Sequence, residues 1–324
     1  MTITVFRPIA LFTHPRYLDH DTGGGGHPEI PGRIVSILNK IEASSIAPYI
    51  NTMRPRPAER KWITCCHDES YLYRFEEAAL SGRSHIDHQD NQISYDSFEV
   101  ATLAAGAGLN AIDYLEQGNG NIAFCCVRPP GHHAERAMAL GFCFFNNAAI
   151  AARYWQHKYH RQRIAIIDFD AHHGNGIQAA FEEDPDVFYV SIHEHPTFSF
   201  PGTGYAEEKG TGAGEGATLN IPLTPGTNDS KFLHAMHEEI MPALEKFSPE
   251  ALIVSAGFDG HQLDDMSGLA YTTELYGRLG ELLSNFSIKF CRGKVLNILE
   301  GGYHLEALAA SVVAYLTPFT KVPE

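Results

Sequence analysis

The chain has 324 residues, enough for one large α/β domain or two small ones, each with a sizeable core. Its 24 Lys and Arg against 39 Asp and Glu give a formal charge of −15, which argues against nonspecific nucleic-acid binding and against attraction to anionic membranes. Cys65, Cys66, Cys125, Cys126, Cys143 and Cys291 form no C-x-x-C pair, the N-terminus lacks a basic-then-apolar leader, and no apolar run is long enough to span a bilayer; the expected compartment is a reducing cytoplasm.

In chain order, Val- and Ile-rich runs predict strands at 5–13, 122–127, 163–169, 187–192, 218–221, 251–255 and 294–299. Helical patterns lie at 32–43, 70–81, 98–117, 147–159, 176–183, 229–247, 273–286 and 305–316. Continuously apolar strands separated by helices predict an α/β fold with a central parallel sheet covered on both faces. No repeat or linker divides the chain, so residues 1–324 read as one domain.

The unusual residues fall at strand ends. Arg128-Pro129-Pro130-Gly131-His132-His133 follows the 122–127 strand, and Asp168-Phe169-Asp170-Ala171-His172-His173-Gly174-Asn175-Gly176 closes the 163–169 strand. Gly257-Phe258-Asp259-Gly260-His261 and Glu300-Gly301-Gly302-Tyr303 follow the strands at 251–255 and 294–299. In a parallel sheet these C-terminal ends share one edge, where ligands bind.

Carboxylates and imidazoles at the end of a buried strand are costly to desolvate, and a bound cation is the simplest compensation. If the strand period of two persists, Asp168, Asp170 and His172 share one side, a donor set that suits zinc without cysteine. Three protein ligands and an open position is the catalytic pattern, and Asp259 is a natural third. Either Asp170 or His172 alone would read as an N-cap or a surface histidine; the dense cluster, which includes His173, favours a metal. Adjacent side chains diverge, so joint ligation by His132 and His133 is awkward. Acid–base work is the alternative, with Asp168 and Asn175 as orienting partners. Tyr303 is either packing or a hydroxyl aimed at an oxyanion. The Gly-rich stretches 23–26 and 202–216 lack a phosphate-binding signature, and His234 and His237 read as surface residues.

Seven ordered motifs make the chain resemble the histone deacetylase superfamily, with its arginase/deacetylase fold, over nearly its whole length. They are Gly-His-Pro-Glu at 26–29, Arg-Pro-Pro-Gly-His-His at 128–133, Gly-Phe-Cys-Phe-Phe-Asn-Asn at 141–147, the segment 168–176, Phe-Pro-Gly-Thr-Gly at 200–204, Ser-Ala-Gly-Phe-Asp at 255–259 and Glu-Gly-Gly-Tyr at 300–303. The first of these, Ser-Ala-Gly-Phe-Asp and Asn175 resemble class II and bacterial members. The resemblance implies one catalytic zinc on Asp170, His172 and Asp259. It makes His133 the general base and later acid, His132 its electrostatic partner held by Asp168, and Tyr303 the donor to the oxyanion. It implies an acyl-lysine tunnel walled by Phe142 and Phe200, with Gly141 near the rim and Met266 and Gly301 among the substrate-contacting residues. Arg33 matches an internal acetate-release channel. Structural potassium is implied at Asp168, Asp170, His172, Ser191 and Ile192, and at a second site on Phe181, Asp184 and Val187.

The function so implied is hydrolysis of N-epsilon-acetyl-lysine, in a peptide or protein, to amine and acetate. Because Asn175 is neutral, His133 is expected to titrate lower than it would beside an aspartate. Three rivals bear on this. An arginase-like binuclear site needs a further carboxylate where Gly174 stands, and is rejected. Acetylpolyamine or other small acylamine hydrolysis remains the alternative, although the rim position seven after Asp259 is Met266 rather than an acid. A catalytically dead acyl-binding module is disfavoured because every expected ligand and Tyr303 are present.

Overall fold

The computed structural model describes residues 7–24 and 26–321. Eight strands, β1 (Ile9–Phe12), β2 (Ile50–Met53), β3 (Ile122–Cys125), β4 (Ile164–Asp168), β5 (Val187–Glu194), β6 (Thr218–Leu223), β7 (Ala251–Ala256) and β8 (Val295–Leu299), form one sheet in the order β2-β1-β3-β8-β7-β4-β5-β6. Every pairing is parallel. The helices are α1 (Gly32–Glu42), α2 (Arg60–Ile63), α3 (Glu69–Leu80), α4 (Ser97–Glu116), α5 (Asn147–Tyr159), α6 (Asn175–Phe181), α7 (Asp229–Ala235), α8 (Met241–Phe247), α9 (Thr273–Phe290) and α10 (Leu305–Leu316).

The inner strands β1, β3, β4, β7 and β8 are buried at every residue, as continuous apolar strands in a covered sheet must be. Small residues let the layers close. In α4, a Cβ at Gly106 would lie 2.0 Å from the Arg56 carbonyl, so only glycine admits the 56–58 backbone against this helix.

The seven predicted strands are present with shifted ends; residues 5 and 6 of the first lie outside the described residues, as does Gly25 of the glycine run. β2 escapes an apolar-run reading because it is an edge strand whose sequence Ile-Asn-Thr-Met is half-buried to exposed. The single helix expected over 229–247 is instead α7, a π-turn at Met236–Ile240, and α8. Pro242 has no amide hydrogen for the carbonyl four residues back, and the wider turn precedes it.

The topology explains the site. β8 and β7 insert between β3 and β4, so the four segments singled out in the sequence leave four adjacent strands, β3-β8-β7-β4, at their C-terminal ends.

Candidate metal centre and catalytic pocket

β4 ends at Asp168, and the chain then turns rather than continuing the strand period, because each aspartate caps the backbone two residues on. The Asp170 N–H donates to Asp168 Oδ1 (3.2 Å) and the His172 N–H to Asp170 Oδ1 (2.9 Å). The three expected ligands therefore meet, while Asp168 points elsewhere. Asp170, His172 and Asp259 are all buried, and one donor atom from each lies within 4.8 Å of the others.

Main-chain donors fix both carboxylates. Asp170 Oδ2 accepts from the Gly301 N–H at 2.8 Å, and Asp259 Oδ1 from the Ala171 N–H at 2.9 Å. A Cβ on Gly301 would stand 2.5 Å from Asp259 Oδ2 and 2.6 Å from Asp170 Oδ2, so the residue at 301 must be glycine for this approach. Gly301, expected to touch substrate, thus also holds a ligand.

His172 provides the fit test for a metal. Its Nε2 lies 3.1 Å from the Met266 carbonyl, which only accepts, so Nε2 carries the hydrogen. Nδ1 then faces Asp259 Oδ2 at 2.9 Å and Asp170 Oδ1 at 3.1 Å. Three lone-pair atoms in a buried space repel unless a cation sits among them, either a proton on Nδ1 or a metal ion. Burial would lower the His172 pKa, but Asp259 and Asp170 raise it well above the usual value. Burial and Asp170 push Asp259 up to about 6. Two carboxylates and one imidazole nitrogen, the ring's other nitrogen tied to a carbonyl, form a donor set for a mononuclear divalent centre, and the residues fit zinc. A second carboxylate has no room at 174, where a Cβ would lie 2.2 Å from Asp168 Oδ2.

His132 and His133 do not diverge as expected: their rings lie 3.9 Å apart, side by side. Their partners differ. His132 Nδ1 is 3.1 Å from Asp168 Oδ2, which also accepts from the Tyr189 hydroxyl at 3.2 Å. Burial opposes charge on His132, yet Asp170 and Asp168 raise its pKa to about 10. His133 Nδ1 is 2.8 Å from Asn175 Oδ1. The amide is oriented by its other end, whose Nδ2 donates to Glu135 Oε1 at 2.8 Å. Asn175 therefore presents oxygen, His133 Nδ1 carries the hydrogen, and Nε2 is left with a lone pair. Burial, then the neighbouring His132 and His172, hold His133 well below the ordinary histidine range.

The remaining predicted residues divide into walls, floor and flank. Phe200 packs against His133 with centroids 5.0 Å apart, and a Cβ on Gly141 would meet both rings. The Phe142 ring is 5.9 Å from Tyr303, and its left-handed backbone is held by a 2.9 Å bond from its N–H to Asn91 Oδ1. Arg33 lies beneath: its guanidinium is 4.9 Å from the Tyr303 ring centroid and donates to the Gly302 carbonyl at 2.6 Å and to that of Glu300. His173 is no ligand. It bonds Thr203 (2.8 Å) and Gln178 (2.9 Å), bracing the Phe200-bearing loop.

Of the implied potassium residues, Ser191 is in register beside Asp168 across β4 and β5, with Ile192 next to it. Phe181, Asp184 and Val187 form the turn between α6 and β5, where Arg153 pairs with Asp184 and lies 4.5 Å over the Phe181 ring.

Several contributors carry no assigned role in the sequence reading. The Glu300 carboxylate accepts from the Gly131 N–H (2.7 Å), the His132 N–H (3.1 Å) and the Ser255 hydroxyl (2.7 Å), anchoring the histidine pair. Glu29 is locked between Arg128 and Arg33. The sequence signal for Glu300 is its place directly after the buried apolar run of β8, in the segment that carries Tyr303. Asn91 gives no such signal.

A family model described as the histone deacetylase domain matches residues 27–318. Histone deacetylase 14, chloroplastic, of Arabidopsis thaliana is 38% identical over 302 residues, covering 88% of this chain and 71% of that protein. A probable deacetylase of Archaeoglobus fulgidus is 38% identical over 295 residues, covering 90% of this chain and 80% of its own. The human polyamine deacetylase HDAC10 is 36% identical over 293 residues, 88% of this chain and 43% of that protein. The crystal structure of the HDA15 HD domain superposes with a TM-score of 0.91 at 32% identity, over 97% of this chain and 88% of that one. Motifs, topology and comparisons agree: the chain belongs to the histone deacetylase family.

Proposed function

We propose that this deacetylase-family chain is a zinc enzyme that hydrolyses the amide of N-epsilon-acetyl-lysine to the free amine and acetate. The observation that carries this reading is the orientation of two imidazoles beside each other: His172 directs a bare or protonated Nδ1 at two carboxylates, while His133 keeps an Nε2 lone pair free. When bound at Asp170, His172 and Asp259, zinc supplies a Lewis acid for the amide carbonyl and lowers the pKa of water. His133 Nε2 accepts the proton of the attacking water and returns it to the departing amine; its depressed pKa keeps it neutral and ready to accept. His132, held by Asp168, contributes a fixed positive charge beside the developing negative one. Tyr303 donates its hydroxyl to the oxyanion. Phe142 and Phe200 enclose the acyl-lysine stem, with Gly141 allowing the wall to close and Met266 at the rim.

We further propose potassium at the two implied sites, supported by the adjacency of Ser191 and Asp168, and an acetate exit past Arg33. The six cysteines are free, which supports a reducing compartment such as the cytoplasm, and among the described residues no helix is long and apolar enough to cross a membrane.

One observation favours a second reading. The similarity to a protein named polyamine deacetylase makes acetylpolyamines a competing substrate class. Parallel kcat/KM measurements on an acetyl-lysine peptide, acetylspermidine and acetylputrescine with zinc-loaded protein decide between them. The peptide is expected to be preferred; preference for the polyamines would replace the first reading with the second.

A further inference from the structure

Asp264 is buried, 6% exposed, and forms no ion pair among the described residues. A buried carboxylate without a counter-ion is expensive unless strong donors surround it. Here all the donors are main-chain. Oδ2 accepts from the N–H groups of Tyr303 (2.6 Å) and His304 (2.9 Å), and Oδ1 from that of Met266 (3.2 Å). Its own N–H donates to the His261 carbonyl at 2.8 Å, which fixes the carboxylate relative to β7. The same side chain thus grips the last residues before α10 and the loop after Asp259. That loop is itself part of the site: the Met266 carbonyl orients His172, and the Ser267 hydroxyl donates to the Asp259 carbonyl at 2.9 Å.

Tyr303 has few other restraints on its backbone. It follows two glycines that are themselves tied, Gly301 to Asp170 and Phe258 and the Gly302 carbonyl to Arg33, but Gly302 adopts φ +119°, and the Tyr303 N–H beyond it is held by Asp264. The N-terminus of α10, a helix of 12 residues, further favours a negative group at this place. The carboxylate's three hydrogen-bond donors are all main-chain, in two segments that end in functional groups, so it acts through their backbone.

We infer that Asp264 is a positioning residue that couples the Tyr303 hydroxyl to the metal-ligand loop, setting the distance between oxyanion donor and metal. The inference rests on the reading of Tyr303 as the oxyanion donor, and its tests separate the two. An asparagine at 264 can turn only one oxygen toward three N–H donors, and its NH2 opposes the rest. In Asp264→Asn, kcat falls about ten- to a hundredfold, KM stays within about threefold, and zinc content stays at one per chain. Tyr303→Phe alone costs about 10²–10³-fold in kcat. Added to Asp264→Asn it costs less than about tenfold more, because the donor it removes is already misplaced. Binding of a linear alkyl hydroxamate, which chelates zinc through two oxygens, shows the same non-additivity by calorimetry. Amide hydrogen exchange gives the direct readout: protection at Tyr303 and His304 is lost in Asp264→Asn while β7 and β8 stay protected. Asp264→Glu keeps the charge and moves the carboxylate by one methylene, and lowers kcat with zinc retained, which covers an Asp264→Asn protein too unstable to assay. Unchanged exchange at Tyr303 and His304, or costs that simply multiply in the double variant, would overturn the inference. Full activity in Tyr303→Phe would instead remove Tyr303 from the chemistry, while the exchange result would still decide whether Asp264 holds its backbone.

Discussion

Two buried ionic clusters lie near the same sheet edge, and they are built on opposite principles. Around Glu29, one buried carboxylate is held by two guanidinium groups of the same chain. Arg128 grips the carboxylate through Nε (2.8 Å) and Nη2 (2.7 Å), Arg33 adds a third contact at 3.1 Å, and Arg128 Nη1 is satisfied by the carbonyls of Tyr17 and His20. Around His172, two carboxylates and an imidazole nitrogen converge with no Lys or Arg ion pair among the described residues. The first cluster holds more positive charge than negative; in the second, His132 lies 3.8 Å from Asp170 and 3.1 Å from Asp168, but the three atoms that meet at His172 Nδ1 have no cation among them. Burial of ionisable residues is therefore a poor sign of a metal site by itself; burial of donors that lack an internal counter-charge is a good one.

The comparison breaks most sharply at the ligands. Asp259→Asn removes one of the two convergent carboxylates, so activity falls by at least about 10³-fold and bound zinc is lost. With no metal added, the lost pairing of Asp259 with a protonated His172 Nδ1 is offset by relief of its repulsion with Asp170, so the Tm of the same variant stays close to the parent's; a large drop in Tm would show that Asp259 is structural. His133→Ala, in the same pocket but outside the ligand set, lowers kcat about 10²–10⁴-fold with zinc retained. Retained turnover would assign the base elsewhere.

Glu29→Gln gives the reverse pattern. Leaving two buried guanidinium groups with a neutral partner costs ~3–5 kcal/mol, measured by denaturant unfolding, while a protein that stays folded keeps its zinc. The pH dependence has a definite sign. Burial opposes ionisation of Glu29, but Arg128 and Arg33 lower its pKa from 4.5 to about 2. Its contribution is complete above about pH 4.5 and is lost as the pH falls toward 2. The stability difference between parent and Glu29→Gln should shrink over that window; a difference that stays constant would mean that the charge on Glu29 is not what matters.

The smallest effect belongs to Asn175. Asn175→Asp places an anion 2.8 Å from His133 Nδ1, favours the imidazolium and raises its pKa. Because the base must be neutral to accept a proton, the acidic limb of the kcat/KM profile moves to higher pH, by about one unit. A limb that does not move would mean that another group sets it.

How far the sequence revealed this depends on whether each residue's partner is local. The β4 strand and Asp168, Asp170 and His172 stand out because an apolar run stops abruptly at charge, and Asp259 stands at the end of a similar run. The edge strand β2 has no such run, and the π-turn before Pro242 is a backbone adjustment that no periodicity announces. Beside its local contact to Met266, Asp264 acts on main-chain groups 39 and 40 positions away and Asn91 on one 51 positions away, and nothing next to either in sequence marks those roles; Glu300 follows an apolar run, but its partners Gly131 and His132 lie 169 and 168 positions away. The residues proposed to do chemistry are legible because their types are unusual where they occur; those that hold them are not, because a carboxylate or amide bonded to backbone looks like any other.

The central claim is that the His172 cluster is completed by one divalent cation that the reaction requires. Its most direct test is to strip the purified protein with a chelator, add back zinc in measured steps, and follow both bound metal and hydrolysis of an acetyl-lysine peptide. The account predicts activity that rises linearly and saturates at one zinc per chain, with no such dependence of the Glu29 cluster's stability contribution on metal. Full hydrolysis by the stripped protein, or saturation at two ions per chain, would contradict it.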